Sequence, residues 1–104
     1  MVKIVWTSRS LTDLEEIGDY ISKDSPKYAM LTLEKLIETS KLIEANPLIG
    51  RVVPEVKQKN IREIVTGNYR IIYQISDNGF AYMLTIHHSS RLISNNPAFK
   101  KGIK

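Results

Sequence analysis

Four arginines are spaced through the second half of the chain, among residues that alternate between apolar and polar: Arg51, Arg62, Arg70 and Arg91. A strand that only has to fold can place Thr, Ser or Lys on its exposed face, so packing does not demand arginine there. The guanidinium fork matches a carboxylate or a phosphate bidentately. The spacing therefore indicates an anionic partner, with Arg70 in mid-strand and Arg91 after the last strand as the stronger candidates. For Arg62 we favour a structural role, shielding the outer strand of the sheet.

Two consecutive histidines are the other side chains that could do chemistry. His87 and His88 lie on one predicted strand, so they point to opposite faces and cannot bind one metal ion together. Since the chain has no cysteine and no matching carboxylate motif, we expect neither a metal nor another cofactor. His88 has the chemistry of a general base. A single histidine at a strand end is nevertheless more often a hydrogen-bonded packing residue.

Charge is distributed unevenly along the 104 residues. Residues 1–50 hold six Lys/Arg and eight Asp/Glu, a balance of −2, whereas residues 51–104 hold nine and three, a balance of +6. The basic half is the better candidate for contact with an acidic protein or a nucleic acid, with a solvated basic face as the alternative. With 42% hydrophobic and 25% charged residues, the composition is that of one ordinary globular domain.

The absence of cysteine fits a reducing compartment. The apolar start of the chain, residues 1–6, is too short for the core of a signal peptide, and no stretch approaches the length of a membrane span. We therefore expect a cytoplasmic protein with no membrane partner.

The elements that must position these side chains follow from the hydrophobic period. Residues 2–6 alternate as a short strand, and a helix with Leu11 on its apolar stripe follows. A second helix begins at Ser25-Pro26 and ends at Asn46-Pro47, with Ile37 on its apolar stripe. The two helices form a hairpin that has to cover one face of a sheet, because alone it leaves both stripes in water.

In the second half of the chain, apolar and polar residues alternate with a period of two residues. Residues 61–66, 69–76 and 80–88 read as strands, joined by turns at Gly67-Asn68 and at residues 77–79. The predicted fold class is α+β, with an N-terminal strand, an α-helical hairpin and then a three-stranded antiparallel meander. We expect the face opposite the hairpin to be open, or covered only by the tail. An open, concave, basic face is where we expect the function to lie.

A two-residue turn at Gly67-Asn68 sets the register of the first two meander strands. It pairs Val65 with Arg70, and period two then sorts the faces. The core side receives Tyr69, Ile71, Tyr73 and Ile75. Arg70 falls on the opposite face beside Glu63, which predicts a diagonal ion pair between the two.

The motifs together resemble one known family. In chain order they are Gly50-Arg51, Pro54-Glu55, Ile61-Arg62-Glu63-Ile64, Tyr69-Arg70-Ile71-Ile72-Tyr73 and His88-x-x-Arg91. Their order and spacing, together with the predicted elements, resemble the ParE/RelE superfamily of small bacterial toxins. The resemblance runs from Val2 to about Ile93. It implies one toxin domain over residues 1–93, followed by a basic C-terminal tail over residues 94–104.

The resemblance also implies a biological role. Members are toxins of type II toxin–antitoxin modules, which serve in plasmid stabilisation, and an acidic antitoxin neutralises them. ParE-like members inhibit DNA gyrase without nuclease activity, whereas RelE-like members cleave mRNA in the ribosomal A site. We favour the ParE-like branch, because positions where RelE-like enzymes place lysines carry Ile61 and Glu63 here. An apolar group and an anion there would weaken binding to the mRNA backbone and remove transition-state stabilisation.

On the ParE-like reading the chain has no catalytic residue of its own. Its binding surface for gyrase and antitoxin is predicted to include Arg62, Arg70, His88 and Arg91. The antitoxin's acidic segment, disordered when free, would lie as a helix or strand across an apolar groove and the basic sheet. Toxin and antitoxin would then form a hetero-oligomer.

The alternative is a RelE-like, metal-independent endoribonuclease whose partners are the ribosome and mRNA. It would place Arg70, His88 and Arg91 around the scissile phosphate. Some nuclease members use a glutamate and a histidine instead, so Glu55 or Glu63 acting with His88 is a variant of this alternative. A third hypothesis is a degenerate member that binds an antitoxin but is no longer toxic.

Overall fold

The computed structural model describes residues 1–99, in which a helical hairpin packs on one face of a mixed sheet. The Lys-rich end, Lys100–Lys104, lies outside the described residues. The elements are β1 (Lys3–Trp6), α1 (Ser8–Ser22), α2 (Pro26–Ala45), β2 (Arg51–Val52), β3 (Ile61–Thr66), β4 (Tyr69–Ile75) and β5 (Phe80–His88). The strand order is β1-β5-β4-β3-β2, with β1 parallel to β5 and the other pairs antiparallel. The predicted α+β class is confirmed, and the short β2 is an addition to it.

Both helices begin at side-chain caps. Thr7 accepts a hydrogen bond from the backbone N of Ser10 at 3.2 Å, and Ser25 accepts one from the backbone N of Tyr28 at 3.1 Å. Pro26 occupies the first helical position of α2, where its missing N–H is not needed. Among the described residues, neither helix combines the length and apolar character needed to cross a bilayer.

The main core lies between the helical hairpin and the sheet. Its buried members are Ile17, Leu36, Ile43, Ile71, Tyr73, Ala81, Met83 and Ile86. Two residues predicted on the buried stripes are exceptions, since Leu11 is 52% exposed and Ile37 is 45% exposed. The expectation for these two was wrong, because neither joins the core between the hairpin and the sheet.

The predicted register of β3 and β4 is confirmed. Thr66 pairs with Tyr69, Val65 with Arg70 and, further along, Arg62 with Tyr73. A two-residue turn carries Gly67 at φ +59°, a conformation that glycine adopts without steric cost. The sorting of faces follows from this register, so Ile71 and Tyr73 lie in the main core and Arg70 lies on the opposite face.

The second sheet face is covered more fully than predicted. A smaller core there contains Val53, Ile61, Ile72 and Ile93, with Val56, Leu84 and Phe99 packed around it. The expected cover was at most the tail, but the connection between β2 and β3 contributes as well. The expectation of an open, concave face was therefore wrong over this area, because a strand residue as apolar as Ile72 is fully buried there.

A glycine and a tyrosine hold the chain close to the sheet just before β2. The backbone N of Gly50 donates to the Tyr73 hydroxyl at 3.0 Å, and that hydroxyl donates to the carbonyl of Pro47 at 2.6 Å. A Cβ on Gly50 would lie 2.7 Å from the backbone O of Glu63, so no larger residue fits without a shift. Burial raises the pKa of the Tyr73 phenol. This contact fixes where β2 begins.

Candidate functional site

The Arg70 side chain is enclosed by two carboxylates on the second sheet face. Its Nη1 and Nη2 donate to the two oxygens of Glu55 at 2.9 and 2.8 Å, a bidentate pair. Its Nε donates to Glu63 Oε1 at 2.6 Å, which confirms the predicted diagonal ion pair. Arg70 is only 8% exposed. Its charge is therefore used within the protein rather than presented to solvent.

The electrostatics of this cluster follow from the contacts. The hydrogen bonds that Arg70 donates lower the pKa of Glu55 from 4.5 to about 2, against a smaller opposing effect of burial. The same contacts raise the pKa of Arg70. Glu63 is fully buried, and its second oxygen accepts from Arg51 Nε at 2.6 Å. Two cations and two anions thus form a balanced group, which we call the Arg70 cluster: Arg51, Glu55, Glu63 and Arg70.

Arg62 has a different environment on the strand beside this cluster. Its Nε donates to the carbonyl of Lys59 at 3.0 Å, and its Nη1 donates to the carbonyl of Gly50 at 2.9 Å. These bonds tie the residue before β2 and the connection between β2 and β3 to strand β3. The guanidinium is half-buried and, within residues 1–99, pairs with no carboxylate.

A groove of about 760 Å³ opens on the other side of the sheet, between the helical hairpin and the turn that joins β3 to β4. We call it the hairpin groove. Its mouth carries two exposed tyrosines, Tyr20 from α1 and Tyr28 from α2, which are 73% and 60% exposed. Lys35 and Arg91 also line it, and within residues 1–99 neither of these cations pairs with a carboxylate. The two acidic side chains of the lining, Asp13 and Glu16, are paired with Arg9. Exposed aromatic rings beside unpaired cations suit contact with an acidic, amphipathic segment.

His88 lies in the wall of the hairpin groove. Its ring packs edge-on against Tyr69, with centroids 5.4 Å apart. The backbone N of Ser90 donates to His88 Nδ1 at 3.2 Å, so Nδ1 is an acceptor and the neutral ring carries its proton on Nε2. His88 is thus both a packing residue and a partly exposed groove residue.

The structure brings together only some of the predicted site residues. His88 and Arg91 share the hairpin groove. Arg70 lies on the opposite face, because its cross-strand neighbour is His87 while that of His88 is Tyr69. Glu55 and Glu63 accompany Arg70, so neither lies beside His88. The roles predicted for these residues stay predictions, but they belong to two separate surfaces.

His87 has a structural role that sequence reasoning did not identify. It is buried, its Nε2 donates to the carbonyl of Arg91 at 2.8 Å, and its Nδ1 accepts from the Asn96 side chain at 2.8 Å. The same Asn96 amide donates to Thr85, whose hydroxyl donates to Asp13 on α1. This chain of bonds attaches the segment after β5 to the sheet. Its sequence signal is weak, since nothing local links Asn96 to His87.

Within residues 1–99 no group of three or more acidic or histidine side chains is close enough to hold a metal ion. The Arg70 cluster and the hairpin groove offer ion pairs, hydrogen-bonding groups and apolar surface.

The fold and these surfaces define a small α+β protein, and comparison with known proteins identifies its family. Residues 4–93 match the family model for the ParE toxin of the type II toxin–antitoxin system, parDE. The chain belongs to this family. It is 33% identical over 93 residues to Toxin RelE2 of Caulobacter vibrioides, an alignment that covers 88% of this chain and all of that protein.

Solved structures show the same fold at low identity. A chain of the chromosomal ParDE system from P. aeruginosa superposes with a TM-score of 0.70 at 19% identity, covering 85% of this chain and 96% of that one. A chain of the toxin–antitoxin complex RelBE2 from Mycobacterium tuberculosis gives 0.60 at 19% identity, covering 84% and 96%. Both likenesses support the shared fold, and the predicted membership of the ParE/RelE superfamily is confirmed.

Proposed function

We propose that this toxin is a cytoplasmic inhibitor of DNA gyrase that acts by binding, without catalysis of its own, and that an acidic antitoxin neutralises it. Family membership shows that the chain is a toxin of a type II toxin–antitoxin system. The pairing of Arg70 supports inhibition by binding rather than by catalysis. Its guanidinium is paired with Glu55 and Glu63 and is nearly inaccessible. An RNA phosphate approaching Arg70 would meet two carboxylates, which oppose the charge that develops in a phosphoryl transition state.

The hairpin groove is the better surface for the antitoxin. It combines Tyr20 and Tyr28 with the unpaired cations Lys35 and Arg91. An acidic segment with an apolar stripe would bury the rings and meet the cations at the rim. The excess of basic residues in the second half of the chain would speed its association. The neighbouring solved systems, named as ParDE and RelBE2 toxin–antitoxin systems, support a partner of this kind.

The test is a purified assay of two targets with one protein preparation. Gyrase supercoiling and ribosome-dependent mRNA cleavage are measured side by side. We expect supercoiling to be lost, cleaved DNA to accumulate and mRNA to stay intact. Cut mRNA with normal supercoiling would reject the proposal.

A RelE-like ribonuclease is the second candidate, because His88 and Arg91 share one open groove and a relative bears the name RelE2. A nuclease of this kind would use the hairpin groove rather than Arg70. Its activity would require His88, so His88→Ala would abolish mRNA cleavage while the amide spectrum stayed native. Inhibition of gyrase, in contrast, would be insensitive to this substitution.

A further inference from the structure

Arg70 already holds an oxyanion in this structure, and that oxyanion belongs to the chain itself. The Glu55 carboxylate lies side-on against the guanidinium, with N–O distances of 2.8 and 2.9 Å. We propose that Arg70 is a carboxylate-binding site that Glu55 occupies in the isolated protein and that an acidic side chain of a partner peptide occupies in its place on binding. The evidence for the site is the set of contacts that Arg70 makes. Only the identification of that peptide with an antitoxin rests on the proposed function, and it requires an antitoxin that reaches the face opposite the hairpin groove as well as the groove itself.

Glu55 is the exchangeable ligand of the Arg70 cluster. Its side chain is 46% exposed, whereas that of Glu63 is fully buried. It lies in a surface turn in which the backbone N of Lys57 donates to the carbonyl of Val53 at 2.9 Å. Lys57 has φ +59°, an uncommon conformation for a residue with a side chain. Glu55 can therefore swing outward by local motion, while Glu63 cannot leave without opening the sheet.

The guanidinium stays oriented after Glu55 leaves. Glu63 Oε1 accepts from Arg70 Nε at 2.6 Å, and Glu63 Oε2 is held in turn by Arg51 Nε at 2.6 Å. Two positively charged N–H groups of Arg70 would then face solvent in the geometry that a second carboxylate requires. A site already arranged in this way avoids the entropy cost of ordering a long side chain.

Charge balance favours a carboxylate over a phosphate. Without Glu55 the remaining members, Arg51, Glu63 and Arg70, carry one net positive charge. A carboxylate neutralises that charge. A phosphate monoester, with about 1.5 to 2 negative charges near neutral pH, would place its excess beside the buried Glu63 carboxylate. Charge balance therefore points to Asp or Glu of a peptide, with a phosphorylated side chain as the outcome that the test must separate.

The experiment follows the arginine Nε–H resonances of the full ¹⁵N-labelled chain during titration with acetate and with inorganic phosphate at constant ionic strength. Wild-type protein is compared with Glu55→Ala and with the isosteric Glu55→Gln. We expect acetate to shift the Arg70 resonance saturably in Glu55→Ala, and to bind wild type at least ~10-fold more weakly because tethered Glu55 competes at high effective concentration. Phosphate should bind Glu55→Ala more weakly than acetate. The exposed Arg91 is the internal control for unspecific effects.

Each contrary result overturns the proposal. An Arg70 resonance that acetate leaves unchanged, in a variant whose amide spectrum is native, would show that no site remains. Tighter binding of phosphate than of acetate would replace the acidic peptide by a phosphorylated one. Unfolding of both variants would show that the site cannot exist without Glu55. No gyrase or ribosome is used, so failure here and failure of the proposed function are separate results.

Discussion

The two faces of the paired strands β4 and β5 use their arginines in opposite ways. On one face Arg70 is 8% exposed and satisfied by Glu55 and Glu63. On the other, Arg91 is exposed at the hairpin groove and, within residues 1–99, pairs with no carboxylate. The comparison teaches that an arginine in a strand pattern does not by itself mark an open anion site. A strand arginine is open to an anionic partner only where no carboxylate of the same chain reaches its guanidinium.

The adjacent histidines repeat the contrast within a single strand. His87 is buried, and both of its nitrogens bond to the segment after β5. His88 faces the groove, and within residues 1–99 its side chain hydrogen-bonds to its near neighbour Ser90 alone. One step along a strand thus separates a residue that holds the fold together from one that a partner can reach.

The largest effect is expected at Arg70. Arg70→Ala leaves the fully buried Glu63 with Arg51 as its remaining partner, and losing one member of a buried ion pair costs about 3–5 kcal/mol. Urea denaturation measures the free energy of unfolding. Arg91→Ala is the matched control and should change it by less than ~0.5 kcal/mol. If Arg70→Ala and Arg91→Ala lowered the free energy of unfolding equally, the two arginines would not differ in the way described.

The histidine pair should give the next largest difference. His87→Ala leaves the Asn96 amide and the Arg91 carbonyl short of a buried partner, which costs about 1–3 kcal/mol. His88→Ala should have a much smaller effect on stability and little effect on gyrase inhibition. The readouts are urea midpoints and the supercoiling assay. If His88→Ala abolished inhibition with the fold intact, a purely binding mechanism would be untenable.

The pH dependence of stability should report the Arg70 cluster. The pKa of Glu55 is about 2 in the folded protein, below the ordinary 4.5, so its stabilisation is complete above 4.5 and is lost as the pH falls toward 2. Glu55→Gln removes this titration and should flatten the acid limb of the stability curve. Urea midpoints between about pH 5 and 2 measure it. If the urea midpoints of wild type and Glu55→Gln fell in parallel between these pH values, Arg70 would not hold Glu55 as described.

The smallest effect is expected at the rim of the hairpin groove. Arg91→Ala should weaken antitoxin binding by about 0.5–1 kcal/mol, chiefly through slower association, because rim charges act mainly on encounter. Surface plasmon resonance at two salt concentrations measures the change. Lys41→Ala, an exposed cation of α2 outside the groove lining, is the control. A loss as large for Lys41 as for Arg91 would remove the groove as the binding surface.

Much of the sheet could be predicted because its signals are local. The two-residue turn at Gly67-Asn68 and period two together yielded the register of β3 and β4, the core side of Tyr73 and the ion pair of Glu63 with Arg70. Each of these follows from spacing along one hairpin. The family followed from motifs in the same region, with Pro54-Glu55 among them.

The site was less predictable because its decisive contacts join separate elements. Glu55 belongs to the Pro54-Glu55 motif, but no periodicity of the sequence indicates that it reaches Arg70 from the connection between β2 and β3. The same holds for Asn96 and His87, which are nine positions apart and meet only when the segment after β5 folds back. Long-range pairing of this kind depends on the path of loops, which local sequence preferences do not specify.

The sequence by itself determined the α+β class, the register of β3 with β4, the faces on which Glu63, Arg70 and Tyr73 lie, and the family. All of these depend on repeating local geometry, which a short stretch of residues specifies. Only the tertiary structure decided that the second sheet face is covered, that Glu55 closes Arg70, and that Arg70 and His88 serve different surfaces. The physical reason is that these outcomes depend on which distant charges and apolar groups a folded loop brings within contact distance.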